Sequence, residues 1–129
     1  MRKPISPRIH GVLDYTTSVA VTAAPYVLGF PKPARRMCQA LSASYTGLSA
    51  MTDYPLAAKR IVPFKAHGAV ELGLAALLPM APWALGFHKH RAARNFFFGL
   101  TALTIGVAAL TDWDGNDGRA RSARRRRKS

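Results

Sequence analysis

The chain repeats itself. At an offset of 57, His10, Gly11, Ala24, Pro25, Leu28, Gly29, Phe30 and Lys32 recur as His67, Gly68, Ala81, Pro82, Leu85, Gly86, Phe87 and Lys89. At an offset of 59, Ala34, Arg35, Leu41, Ala43, Gly47, Ala50, Thr52 and Asp53 recur as Ala93, Arg94, Leu100, Ala102, Gly106, Ala109, Thr111 and Asp112. Asp14 falls on Glu71, Tyr26 on Trp83 and Tyr54 on Trp113. Identities in this order, interrupted by one two-residue insertion, require a fold in which both halves share one local structure. Each half reads as His-Gly-x-x-acid, an apolar run, Pro-aromatic-x-Leu-Gly-Phe, a basic loop, a small-residue helix and Thr-Asp-aromatic.

Four apolar stretches, residues 9–28, 37–52, 66–85 and 93–111, carry the repeat. A transmembrane helix needs about 20 predominantly apolar residues. The first, third and fourth meet that length; the second is short and holds Ser42, Ser44, Tyr45, Thr46 and Ser49. None alternates as a half-buried strand does, and Gly and Pro within them are tolerated in membrane helices. A soluble bundle with four helices buried all round needs more chain than 129 residues. The expected fold is therefore all-α: a four-transmembrane-helix bundle made of two parallel-repeat helical hairpins. The expected organisation is a basic N-terminal segment (1–8), a first two-helix repeat (9–54), a connecting loop (55–65), a second repeat (66–113) and a disordered basic tail (114–129). A cleaved signal peptide is a poor reading of the basic start, because Asp14 interrupts its apolar core and the segment recurs.

Two helices per repeat send both copies into the membrane from one side, as parallel repeats. Of the 19 Lys and Arg, 13 then share the face of the termini and 6 the opposite loops. The positive-inside rule puts both termini in the cytoplasm and the chain in the inner membrane as a multi-pass protein. The tail decides this, since Arg119 to Lys128 supply seven of those charges.

These motifs resemble the bacterial SPW-repeat integral membrane proteins, a family named for a Ser-Pro-Trp motif in a two-helix repeat. The motif here is Ala24-Pro25-Tyr26 and Ala81-Pro82-Trp83, each followed by Leu-Gly-Phe, and the resemblance spans roughly residues 9–113. It implies an integral membrane protein and supplies no catalytic residue.

All six carboxylates fall on the side of the termini: Asp14, Asp53, Glu71, Asp112, Asp114 and Asp117. His10 and Asp14, like His67 and Glu71, are spaced i,i+4 and share a helix face. The sequence thus predicts a polar layer of His10, Asp14, Asp53, His67, Glu71 and Asp112 just below the membrane surface. Three readings follow. In the favoured, structural one, Asp14 and Glu71 sit in the first turns of their helices, at the positive dipole end. Asp53 and Asp112 pair with Lys59, Arg60, Lys65 or the histidines. Each histidine is satisfied by its own local carboxylate, so losses of His10 and His67 should add. In the second, the layer holds a transition metal, or His10 and His67 are axial haem ligands. In the third, it relays protons or serves a quinone. No cofactor is the default expectation.

Tyr26, Trp83, Tyr54 and Trp113 lie near helix ends, where amphipathic rings anchor at headgroups. His88 and His90 sit in a basic loop and read as solvated. Cys38, the single cysteine, reads as a packing residue and excludes a disulfide framework. Arg124, Arg125, Arg126, Arg127 and Lys128 form a basic run suited to anionic lipid, at about 1 kcal/mol per residue near the surface. Nucleic acid is disfavoured: the net charge of +13 comes without an aromatic platform or groove-reading helix. No phosphate loop, nucleophile elbow or hydrolase motif is present. The expectation is a non-catalytic accessory or structural subunit of a membrane assembly, with other membrane subunits as partners. The alternative is a small redox, proton or transport protein using His10, Asp14, His67 and Glu71.

Overall fold

The computed structural model describes residues 3–53, 55 and 57–114. The chain is all-helical, with no strand among the described residues. Helix α1 spans Pro7–Val27, α2 Lys32–Met51, α3 Phe64–Leu77, α4 Ala81–Ala84 and α5 Arg91–Leu110, with a 3₁₀ turn at Leu78–Met80 joining α3 to α4. Tyr54 and the Arg124 to Lys128 run lie outside the described residues.

Local chemistry sets the ends. Ser6 caps α1, its Oγ accepting from the Ile9 N–H at 3.2 Å, and Pro7 follows at the first helical position, where a missing N–H costs nothing. The Pro-aromatic-x-Leu-Gly-Phe motif is a helix stop. The Phe30 N–H donates to the Pro25 carbonyl at 2.9 Å and the Phe87 N–H to that of Pro82 at 2.8 Å. Gly29 and Gly86 stand between at φ +63° and +78°, the left-handed turn that glycine adopts without strain. Phe30 and Phe87 are then carried into the core.

Two boundaries differ from expectation. Helix α2 begins at Lys32, not near residue 37, because Pro33 is at home in a first turn and the long basic side chains there reach outward. The third segment is broken: Pro79 removes a backbone donor, and a 3₁₀ turn replaces the α-helix at Leu78–Met80. Of the helices, α5 alone is both long and apolar enough to cross a membrane by length and composition.

Helix α1 packs along α2, and α3 packs against α5. Buried positions come in pairs at the sequence offsets. Cys38 and Phe97 are sealed completely, as are Ala34 and Ala93, with Leu41 and Leu100 beside them. The halves are also cross-linked by backbone. Ile5 exchanges hydrogen bonds with the end of α5, and Val62 does so with the end of α2: Ile5 N–H to Leu110 O at 3.1 Å, Asp112 N–H to Ile5 O at 2.7 Å, Val62 N–H to Met51 O at 2.7 Å, and Asp53 N–H to Val62 O at 2.7 Å. The start of each histidine-bearing helix is thereby held against the last turn of the other half.

Candidate functional site

His10 and His67 occupy the fourth position of α1 and α3, and both are fully buried. One turn deeper, Asp14 and Glu71 are 5% and 4% exposed. The four side chains face one another across the halves. His10 Nε2 lies 3.3 Å from Asp14 Oδ1 and 3.3 Å from Glu71 Oε2. His67 Nε2 lies 3.0 Å from Asp14 Oδ2 and 3.2 Å from Glu71 Oε1. Each carboxylate therefore turns one oxygen to each imidazole.

The other ring nitrogens are fixed by threonines. His10 Nδ1 is 2.9 Å from Thr111 Oγ1, and His67 Nδ1 is 2.7 Å from Thr52 Oγ1. Each hydroxyl donates its single proton to a carbonyl one turn back, Val107 O or Leu48 O, at 2.5 Å. A hydroxyl so committed can only accept, so both imidazoles carry a proton on Nδ1 and aim Nε2 at the carboxylates. The Thr of Thr-Asp-aromatic, at a helix C-cap, is thus the member of that motif that enters the site.

Aromatic rings cover the layer. Phe64 and Trp113 pack on His10 with centroids 5.3 and 5.0 Å away and on each other at 4.7 Å, while Trp113 Nε1 donates to Ala108 O at 2.9 Å. A Cβ at Gly68 would stand 2.7 Å from the indole, so the His-Gly pair supplies one site residue and the space for its cover. On the deeper side a cavity of about 20 Å³, enough for one water, is lined by Asp14, Glu71, Thr17, Tyr45 and Thr104. Symmetry fails at one donor. Ser49 Oγ donates to Asp14 Oδ2 at 3.3 Å, but its counterpart across the repeat is Ala108, and Glu71 Oε2 has no hydrogen-bond partner.

Several expectations are corrected by these positions. Asp53 and Asp112 are not among the four clustered side chains: they lie one residue beyond the C-caps, Asp53 half exposed with Arg60 at 3.9 Å, one of the pairings expected of it. Asp14 and Glu71 are eighth in their helices, and neither first turn holds an acid, so the helix dipole does not explain them. Each histidine meets both carboxylates, so the halves are not independent, and the additivity expected of separate local pairs does not follow. A porphyrin between the histidines does not fit, because carboxylate oxygens at 3.0–3.3 Å from both Nε2 atoms occupy the plane that its ring would need. Trp113 is a cover for the site and not an outlying anchor. Tyr26 and Trp83 are exposed at the opposite end, where Trp83 stacks on His88. His90 Nδ1 caps α5 by accepting from the Ala93 N–H at 3.2 Å, a role its place in a basic loop did not reveal. Cys38 is buried packing, as expected. Outside the layer, Lys65 and Asp114 pair at 2.8 Å; the ammonium holds the carboxyl below its usual range and is itself raised in turn.

The chain matches no known family model, no curated protein and no solved structure.

Proposed function

We propose that the chain is a small multi-pass membrane protein of the SPW-repeat kind, without catalysis of its own, acting as an accessory or structural subunit of a membrane assembly. The observation that carries this reading is the pairing of a buried ionisable layer with exposed apolar side chains. His10, Asp14, His67 and Glu71 are buried beside an apolar core, while Val19, Val27, Leu72, Leu77, Ile105 and others stand outside, Val27 at 79% exposure. Large apolar side chains exposed on several helices suit an apolar surrounding or a partner. Helical runs of 20–21 residues, counting Phe64 to Ala84 as one, match a hydrocarbon layer of about 30 Å. Helix α1 owes its lower apolarity partly to His10, Asp14 and Ser18, which are turned inward where membrane proteins keep such groups. Gly47 and Gly106, on the small-residue faces of α2 and α5, have no atom within 4 Å of an added Cβ, which leaves those faces open to a partner helix. The basic run from Arg124 to Lys128 suits anionic headgroups on the cytoplasmic side.

The role of the His–carboxylate layer in this reading is a clamp between the halves. Topology reporters fused after Ser129 and within residues 32–36 test the membrane placement. Opposite signals, cytoplasmic at Ser129, are expected; equal signals at the two sites overturn the four-span arrangement.

A second reading has one observation in its favour. A cavity of about 390 Å³ between α1 and α5 is lined by Leu13, Thr17, Val21, Phe96, Leu100 and Leu103, and three of these also line the small cavity at Asp14 and Glu71. A lipophilic quinone seated there would reach the carboxylates by its head; photolabelling by a quinone analogue at Leu13 or Leu103 is the result that would favour it.

A further inference from the structure

We propose that His10, Asp14, His67 and Glu71 close on one divalent transition-metal ion of the zinc class, which serves as a structural clip between the two halves; this rests on the clamp reading above. One donor atom from each of the four residues lies within 4.8 Å of all the others. Each Nε2 lies 3.0–3.3 Å from one oxygen of each carboxylate, close to the roughly 3.3 Å between two donors of a tetrahedral ion with bonds of 2.0–2.1 Å. The four contacts use four different oxygens, so a shared ion must draw one oxygen of each carboxylate inward from separations of up to 4.8 Å. Orientation agrees with distance. Thr111 and Thr52 hold the Nδ1–H of each imidazole, the outer-shell bond that fixes a metal-binding histidine's tautomer and leaves Nε2 as the ligand.

A second, independent observation points to a missing centre. His10 Nε2 and Glu71 Oε2 face each other at 3.3 Å, yet neither makes a hydrogen bond, although both side chains are at least nine-tenths buried. Buried polar atoms without partners are rare and costly. An ion between them satisfies both. As ligands, two carboxylates and two imidazoles with Nε2 free would carry a charge of −2, which a divalent ion cancels. The nitrogens select zinc, cobalt, manganese or ferrous ions over magnesium and calcium, and the absence of sulfur from the set disfavours cuprous copper. With all four positions supplied by protein under the cover of Phe64 and Trp113, the site is of the closed, structural kind.

The test uses the full chain, without an affinity tag, stripped by chelator in mild detergent and titrated with Co²⁺. Expected are one equivalent bound, the intense visible bands of four-coordinate cobalt, and displacement by Zn²⁺. Glu71→Gln should abolish the bands, and Thr52→Val and Thr111→Val should each weaken binding 10–100-fold by freeing a histidine ring. The proposal is overturned by absence of binding to the stripped wild type, by the weak bands of six-coordinate cobalt, or by binding that survives Glu71→Gln, which would place the ion at His88 and His90. Thermal melts of the metal-free protein separate the two readings. A lower midpoint for metal-free Glu71→Gln, with no cobalt bound by the wild type, retains the clamp and rejects the ion; an unchanged midpoint rejects the clamp.

Discussion

Gly68 has the tightest surroundings of the described glycines for which an added Cβ has neighbours. The indole of Trp113 lies where a methyl group would be, 2.7 Å from the position of a Cβ. Gly68→Ala must therefore push the ring off His10 and strain its bond to Ala108 O. The expected loss is about 1–3 kcal/mol, the usual cost of overpacking a close contact. Thermal unfolding in detergent, with Trp113 fluorescence shifting toward that of a wetter indole, measures it; an unchanged midpoint and spectrum would contradict the contact. This residue scale is also where the sequence was most and least informative. The i,i+4 spacing of His10 with Asp14 and of His67 with Glu71, with the symmetry of the repeat, was enough to put these four side chains in one layer. Asp53 and Asp112 were misread because the motif Thr-Asp-aromatic was valued for its charge. The backbone turns out of the helix at the threonine, so the hydroxyl looks in and the carboxylate out. Nothing in spacing alone distinguishes those two neighbours.

At the scale of elements, the helix stops are the most sharply specified parts. Gly86 at φ +78° and Gly73 inside α3 both have open space around an added Cβ, so only backbone conformation separates them. Gly86→Ala should destabilise by about 1–2 kcal/mol, the left-handed penalty of an L-residue. Gly73→Ala should stabilise by about 0.5–1 kcal/mol through better helix propensity. Melting midpoints that move in the same direction would contradict the cap geometry. The existence and order of the four helical runs were legible from apolar length and from Gly-Phe and Pro punctuation. The start of α2 was not, because the basic residues at Lys32, Arg35 and Arg36 read as loop while their stems permit helix. The break at Pro79 was hidden by its apolar neighbours, which continue the run across it.

For the whole molecule, the proposed membrane orientation rests on charge that the helices do not contain. Without residues 119–128 the Lys and Arg of the two faces are equal at six each. Removing that segment should convert a uniform topology into a mixed one, seen as dual labelling of a reporter cysteine placed within residues 32–36 in a Cys38→Ala background. Retention of a single orientation would mean that the first hairpin alone directs insertion. By length and apolarity α5 alone qualifies to cross a membrane; α1 and α2 carry more polar side chains and α3 ends at Leu77 before Pro79. The burial of His10, Asp14, His67 and Glu71 depends on how the halves meet and is not written in any one segment.

The crossing of the threonines has a consequence for the order of synthesis. His67 finds Thr52 only 15 residues behind it, so that half of the layer can close as soon as α3 is made. His10 must wait for Thr111, 101 residues later. Helix α1 thus carries an imidazole and a carboxylate that stay unfinished until α5 has been made, and a nascent chain halted between α3 and Thr111 would hold them open to whatever neighbouring helix reached them first.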